Sequence, residues 1–302
     1  MAKEVLLALG GGGLRGIAHL GVIRCLLDHD YVIKGIAGTS AGGLIGGMYA
    51  SGASFEEIDL AIEHFSANPS FKRRSADSGS LIGTLGLEEV FPEALRDKNI
   101  EDFPIRFVAT AVDLYTGREI VIKTGNALKA ILSTIAIPGV FPSQEFDNYK
   151  LIDGGILDPV PVNSARAINS TLPVIAVRLS RKPADYDHTE PNLPFQDVIP
   201  SSIIDRLIKS RLVESLVTFY QSIDVLTTKL EEMNLKVDQP DVIVAPETGH
   251  YPTLDLTIPA DLQELGYTAM QKALPQVEQS LSLVNKMRRI AKYVSVSKKE
   301  KD

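Results

Sequence analysis

The chain has 302 residues, 44% of them hydrophobic, and a chain of this length buries roughly three quarters of its unfolded surface on folding. A net charge of −7 argues against nucleic acid as the main partner, and a single cysteine, Cys25, excludes an internal disulfide framework and fits a reducing cytosol. The apolar stretch 5–9 is too short for a signal-peptide core and no run approaches the ~18 apolar residues that cross a bilayer, so a soluble cytoplasmic protein is expected.

Residues 4–9 read as a compact buried strand, and Gly10-Gly11-Gly12-Gly13-Leu14-Arg15-Gly16 follows at once. From 17 to 28 the apolar spacing is helical. Cys25, among Val22, Ile23, Leu26 and Leu27, belongs with the core. Gly11, Gly13 and Gly16 satisfy G-x-G-x-x-G, but a dinucleotide site needs a carboxylate at the end of the second strand. Here that strand, 31–37, runs into Gly38-Thr39-Ser40, and Asp28 and Asp30 precede it. A nest of glycine N–H groups, suited to an anion, is the better reading.

Gly38-Thr39-Ser40-Ala41-Gly42 lies between that strand and a helix of small residues at 43–50. G-x-S-x-G at a strand-to-helix turn is the nucleophile elbow, which holds its serine strained and exposed. Gly38 and Gly42 remove the Cβ atoms that would collide there. The helix start adds free N–H groups and the positive end of a dipole.

Residues 51–67 continue helically, with Ser54 and Glu57 spaced as a capping box. The stretch 68–86, with Lys72, Arg73 and Arg74, reads as a surface loop, either a solvated connection or a lid. Strands are expected at 105–112 and 119–122 around a turn at 113–118, then a helix at 126–135 stopped by Pro138. A short strand at 150–152 enters Asp153-Gly154-Gly155. Pro159 and Pro161 give an extended segment before a helix at 163–168, and a strand follows at 172–179.

Asp185, Asp187, His188 and Glu190 lack metal-ligand spacing and belong to a solvated acidic loop at 181–200. Residues 202–233 have the period of a long amphipathic helix facing the core. A last strand at 241–245 precedes a helix at 260–284, broken at Pro275. The basic end, 286–299, reads as a solvated terminus, with contact to a membrane surface as the alternative. There is no internal repeat or domain linker, and the oligomeric state is left open.

A serine nucleophile needs a base. His19 and His29 lie on the first helix and His64 on the third; His188 or His250 could follow Asp153 in the α/β-hydrolase order, but neither stands in a glycine-flanked strand-end setting that would aim an imidazole at Ser40. Asp153 does, although Asp-Gly also fits an ordinary Asx-type turn. These residues leave the two readings of Asp153 open.

The three motifs at Gly10 to Gly16, Gly38 to Gly42 and Asp153 to Gly155 stand in the order of the patatin-like phospholipase family, and the chain resembles a bacterial member. The likeness is strong over 5–168 and looser over 169–302. It extends through 113–117, Ile137-Pro138-Gly139 and Phe141-Pro142.

It implies one three-layer α/β/α domain with a mostly parallel central sheet and a C-terminal helical extension. It also implies hydrolysis of phospholipid or other lipid esters through an acyl-enzyme, with no metal or organic cofactor. Ser40 would be the nucleophile, Asp153 the base without a histidine, and Gly11, Gly12 and Gly13 the candidate oxyanion donors. Arg15 would steady that loop or attract an anionic headgroup. Ser133-Thr134-Ile135 and Asp158 depart from the family pattern, which bears on pocket shape. The rival readings are a catalytically silent scaffold of the same fold and a histidine-triad α/β-hydrolase.

Overall fold

The computed structural model describes residues 2–67, 80, 83–91, 95, 98–181, 211–251, 261–287 and 289. The possible lid with Lys72, Arg73 and Arg74, the acidic loop with His188, and most of the basic C-terminal end lie outside the described residues.

The strands are β1 (Lys3–Leu9), β2 (Tyr31–Thr39), β3 (Arg106–Asp113), β4 (Arg118–Ile122), β5 (Gln144–Phe146), β6 (Tyr149–Asp153), β7 (Val174–Val177) and β8 (Val242–Val244). They form one sheet ordered β5-β6-β3-β2-β1-β7-β8, with β4 also pairing β3. The pairings among β3, β2, β1, β7 and β8 are parallel, and β4, β5 and β6 add antiparallel pairings at one side.

The helices are α1 (Ala18–Asp28), α2 (Ala41–Ala50), α3 (Phe55–Ala67), α4 (Leu85–Val90), α5 (Ala127–Thr134), α6 (Val162–Ile168), α7 (Arg211–Asp238) and α8 (Leu262–Ser280). Alternation along β1 separates the layers, because successive side chains leave opposite faces of a strand. Val5, Leu7 and Leu9 join a core with residues of α1, α2, α5 and α8. Leu6 and Ala8 join a smaller one with Val162 and Ala165 of α6 and Leu235 of α7. This is the expected three-layer α/β/α arrangement.

Local chemistry explains several boundaries. The Glu57 carboxylate accepts the Ser54 N–H at 2.8 Å while Ser54 Oγ accepts the Glu57 N–H at 3.2 Å, so the capping box forms where its spacing predicts. Asn126 caps α5 by accepting the Lys129 N–H. The Asp113 carboxylate accepts from Tyr115 N, Thr116 N and Thr116 Oγ1 in the β3–β4 turn, and from Lys150 N on β6. One buried side chain thus ties the hairpin to the strand that carries Asp153.

Three expectations need correction. Pro275 lies inside α8 and does not end it. Tertiary packing overrides the local penalty, since α8 meets α1 at backbone contact: a Cβ on Gly21 would collide with Gln263 O, and one on Gly266 with Ala18 O. Helix α7 is not simply core-facing, for Phe219, Leu226 and Met233 are exposed while Glu231 is buried. Finally, α4 begins at Leu85, inside the end of the stretch 68–86 read as a surface loop.

Candidate active site

The sheet register brings the site together. Thr39 lies opposite Thr110 on β3, and Ala111, the next residue, lies opposite Asp153 on β6. Ser40 and Asp153, far apart in sequence, therefore meet across one intervening strand, about 10 Å of backbone spacing that two side chains must bridge. They do so: Ser40 Oγ donates to Asp153 Oδ2 at 2.5 Å. Both are buried.

Ser40 sits at φ 53° and ψ −124°, a conformation that costs a non-glycine residue roughly 1–3 kcal/mol. The flanking glycines are required by close approach. A Cβ on Gly38 would stand 2.5 Å from Gly42 O, and one on Gly42 would collide with Leu9 O. The elbow is pinned by threonines that the sequence reading did not assign to it. Ser40 N–H donates to Thr134 Oγ1 at 2.9 Å, and Thr39 Oγ1 donates to Asp158 O at 2.9 Å and pairs with Thr110 Oγ1 at 2.6 Å.

Asp153 accepts a second hydrogen bond at Oδ1 from Gly155 N, 2.8 Å away. Gly154 is the turn residue for which space is critical, since a Cβ there would stand 2.5 Å from Thr110 O. Burial pushes the Asp153 carboxyl up to about 6, while the bonds from Ser40 and Gly155 pull it down. Asp158 goes further, to about 8, because burial is reinforced by the nearby Glu119 and Asp238 charges.

The glycine loop is fixed from its carbonyl side. His19 Nε2 donates to Gly10 O at 2.8 Å, and Gly11 N–H donates to Pro159 O at 3.0 Å. Gly11 lies against Ser40, but its N–H is committed, which corrects its place among the free donors. Gly12 O accepts both Arg15 N and Arg15 Nε at 3.2 Å. Because a trans peptide is planar, a Gly12 carbonyl turned toward Arg15 turns the Gly13 N–H the other way. Among the described residues, no carbonyl takes the N–H of Gly12 or Gly13.

Arg15 is 2% exposed, and its charge acts on the buried Glu231 of α7, whose carboxylate meets Arg178 Nε at 2.6 Å. It steadies the loop and is not displayed to solvent. Leu179 holds the other side, 2.9 Å from where a Gly12 Cβ would stand.

The described histidines are engaged away from Ser40 or exposed. His19 is neutral, its pKa lowered to about 4 by burial. His29 Nδ1 bonds Cys25 O, His64 is exposed on α3, and the exposed His250 ring lies 4.0 Å from that of Tyr251.

Residues 7–166 match the family model described as patatin-like phospholipase. An uncharacterized NTE family protein of Mycobacterium tuberculosis is 37% identical over 214 residues, covering 69% of this chain and 57% of that protein. Lysophospholipase NTE1 of Yarrowia lipolytica is 31% identical over 182 residues, 55% of this chain but 12% of the relative. The chain thus spans little more than half of one relative and a small part of the other. The crystal structure of VipD from Legionella pneumophila aligns with 92% of this chain and 67% of its own at a TM-score of 0.44 and 12% identity, a level at which no residue is carried across. The matched segment begins within β1 and runs through the glycine loop, the elbow and the Asp153 turn to α6, and on that match the chain belongs to the patatin-like phospholipase family.

Proposed function

We propose that the protein is a lipid acyl hydrolase that cleaves carboxylic esters through a Ser40–Asp153 dyad and an acyl-enzyme. The observation that carries this reading is the 2.5 Å hydrogen bond from Ser40 Oγ to Asp153 Oδ2 at a strained elbow. Ser40 Oγ attacks the ester carbonyl carbon and its proton passes to Asp153. The carbonyl π pair moves to oxygen, where the Gly12 and Gly13 N–H groups and the start of α2 receive the negative charge. Collapse expels the alcohol, which takes the proton from Asp153. Water then attacks the acyl carbon, gives its proton to Asp153, and releases the acid as Ser40 recovers its hydrogen.

Family membership supports a lipid ester as substrate. The fungal relative is a lysophospholipase by name, which supports a lysophospholipid among the esters to be tried.

Treatment with a fluorophosphonate followed by peptide mapping tests the reading. An activated serine reacts where ordinary serines do not, so the adduct is expected on Ser40. Folded protein that neither forms the adduct nor releases acid from any of a panel of phospholipid, lysophospholipid and short-chain esters would be a silent scaffold.

A further inference from the structure

Among the described residues, the Ser40 amide is the one backbone group of the elbow whose partner comes from a distant helix. It donates to Thr134 Oγ1 at 2.9 Å, and Thr134, in the last turn of α5, is wholly buried. Such an approach needs a neighbour without a side chain: a Cβ on Gly43 would stand 2.6 Å from Thr134 Cγ2. The adjacent hydroxyl is turned elsewhere: Ser133 Oγ points back along α5 to donate to Lys129 O at 2.7 Å.

We infer that Thr134 is a positioning residue for the nucleophile: its hydroxyl oxygen holds the Ser40 N–H, fixes the elbow, and keeps that N–H out of the oxyanion pocket. The first effect follows from peptide planarity. Anchoring the Ser40 N–H sets the Thr39–Ser40 peptide plane, while the Thr39 hydroxyl is anchored to Asp158 O and Thr110. The second follows from donor bookkeeping. In the chymotrypsin arrangement the nucleophile's own N–H helps to bind the oxyanion. Here that N–H is taken, and the negative charge is left to the loop, where Gly12 and Gly13 keep their N–H groups, and to the start of α2. A serine or threonine at 134 does this; an alanine or valine does not.

This inference rests on the hydrolase reading, and its test separates the two. Thr134→Ser keeps the acceptor, and Thr134→Val keeps the shape without it. Should the valine variant fail to fold by circular dichroism, Thr134→Ala takes its place. Three quantities are compared: kcat and KM on p-nitrophenyl butyrate, the phosphonate labelling rate at Ser40, and exchange protection of the Ser40 amide. We expect Thr134→Ser to stay within about threefold of wild type and Thr134→Val to lose on the order of 10²-fold in kcat and labelling rate, with KM little changed. The Ser40 amide should exchange faster in the valine variant alone.

Valine-variant kcat equal to wild type overturns the inference. So does an equal fall in both variants, which would mark loss of packing against Gly43. Wild-type protein that neither labels nor turns over any ester fails the hydrolase reading instead. The amide comparison then decides the positioning role alone, with unchanged protection in the valine variant overturning it.

Discussion

Ser40 leaves β2 at φ 53° and ψ −124°, whereas Asp153 leaves β6 at φ −49° and ψ 130°. Both stand where a strand gives way to a turn and both are followed by glycine or a small residue, yet only one is strained. Ser40 depends on neighbours from elsewhere: Thr134 on its amide, with Thr110 and Asp158 on the residue before it. Asp153 depends on register opposite Ala111 and on the Gly155 N–H two residues later. Strain is therefore concentrated at Ser40, the proposed nucleophile, where geometry would decide reactivity, while Asp153, the proposed base, is delivered by ordinary sheet pairing. Variants of the base test chemistry on an unaltered backbone; variants around the nucleophile test geometry.

The largest expected effect is on the relaxed side. Asp153→Asn preserves size and can still accept the Gly155 N–H, but cannot take the Ser40 proton. It should fold normally and lose on the order of 10⁴-fold in kcat/KM, about as much as Ser40→Ala, and the double variant should lose little more. Near-native turnover by Asp153→Asn would return that residue to a turn role. A histidine variant that falls as far as Ser40→Ala would instead favour a triad.

On the strained side, the loop that faces Ser40 should come next. Gly13 sits at φ 57°, which disfavours a Cβ, and a Cβ on Gly12 would stand 2.9 Å from Leu179 Cβ. Alanine at either position should displace an oxyanion donor and cost about 10²–10³-fold in kcat, with a modest change in KM. Steady-state kinetics on a soluble ester checks this. Unaltered kcat in both variants removes the loop from the reaction.

Much of this contrast was legible before the fold was known, because the elbow, the glycine loop and the Asp153 turn are local motifs with local backbone demands. The capping box at Ser54 and Glu57 was legible for the same reason. The threonine pins were not, since Thr134 and Thr110 acquire meaning only once α5 and β3 arrive beside Ser40. Nor was the loss of Gly11 as a donor, which Pro159 decides from far along the chain. The period of α7 was visible, but not that Glu231 would turn inward to meet Arg178 while Phe219 and Met233 stayed exposed.

The acidity of the relaxed residue gives a gentler effect. Burial raises the Asp153 carboxyl to about 6, and only its ionised form can accept the Ser40 proton. Below that pH, kcat/KM should fall about tenfold per unit, and it should level off above it. The measurement is the pH–rate profile on a soluble ester. Activity that stays flat from pH 7 down to pH 4 would break the assignment, as would the same limb in the residual activity of Asp153→Asn. His19 cannot supply that limb, because burial keeps it neutral down to about 4.

The last expected effect is on stability and not on turnover, and it lies beside the elbow, at the carboxyl whose backbone oxygen holds Thr39. Asp158 is 8% exposed, Glu119 and Asp238 lie close enough to repel its charge, and Oδ1 has no hydrogen-bond partner among the described residues. Its pKa is raised from 3.8 to about 8 in the fold. Below 3.8 both folded and unfolded chains carry the proton. Between 3.8 and about 8 the unfolded chain has released it and the folded chain keeps it, so rising pH favours unfolding. Stability is lost across that window and levels off above it. Asp158→Asn is close in shape to the protonated side chain and does not titrate. Its stability relative to wild type should therefore grow from pH 5 to pH 9, by at most about 1.4 kcal/mol per unit inside the window. Denaturant midpoints for both proteins at pH 5, 7 and 9 check this, because groups shared by the two cancel in the difference. Equal pH dependence would mean that the carboxyl is ionised in the fold, and the contrast between a charged base and a neutral neighbour would disappear.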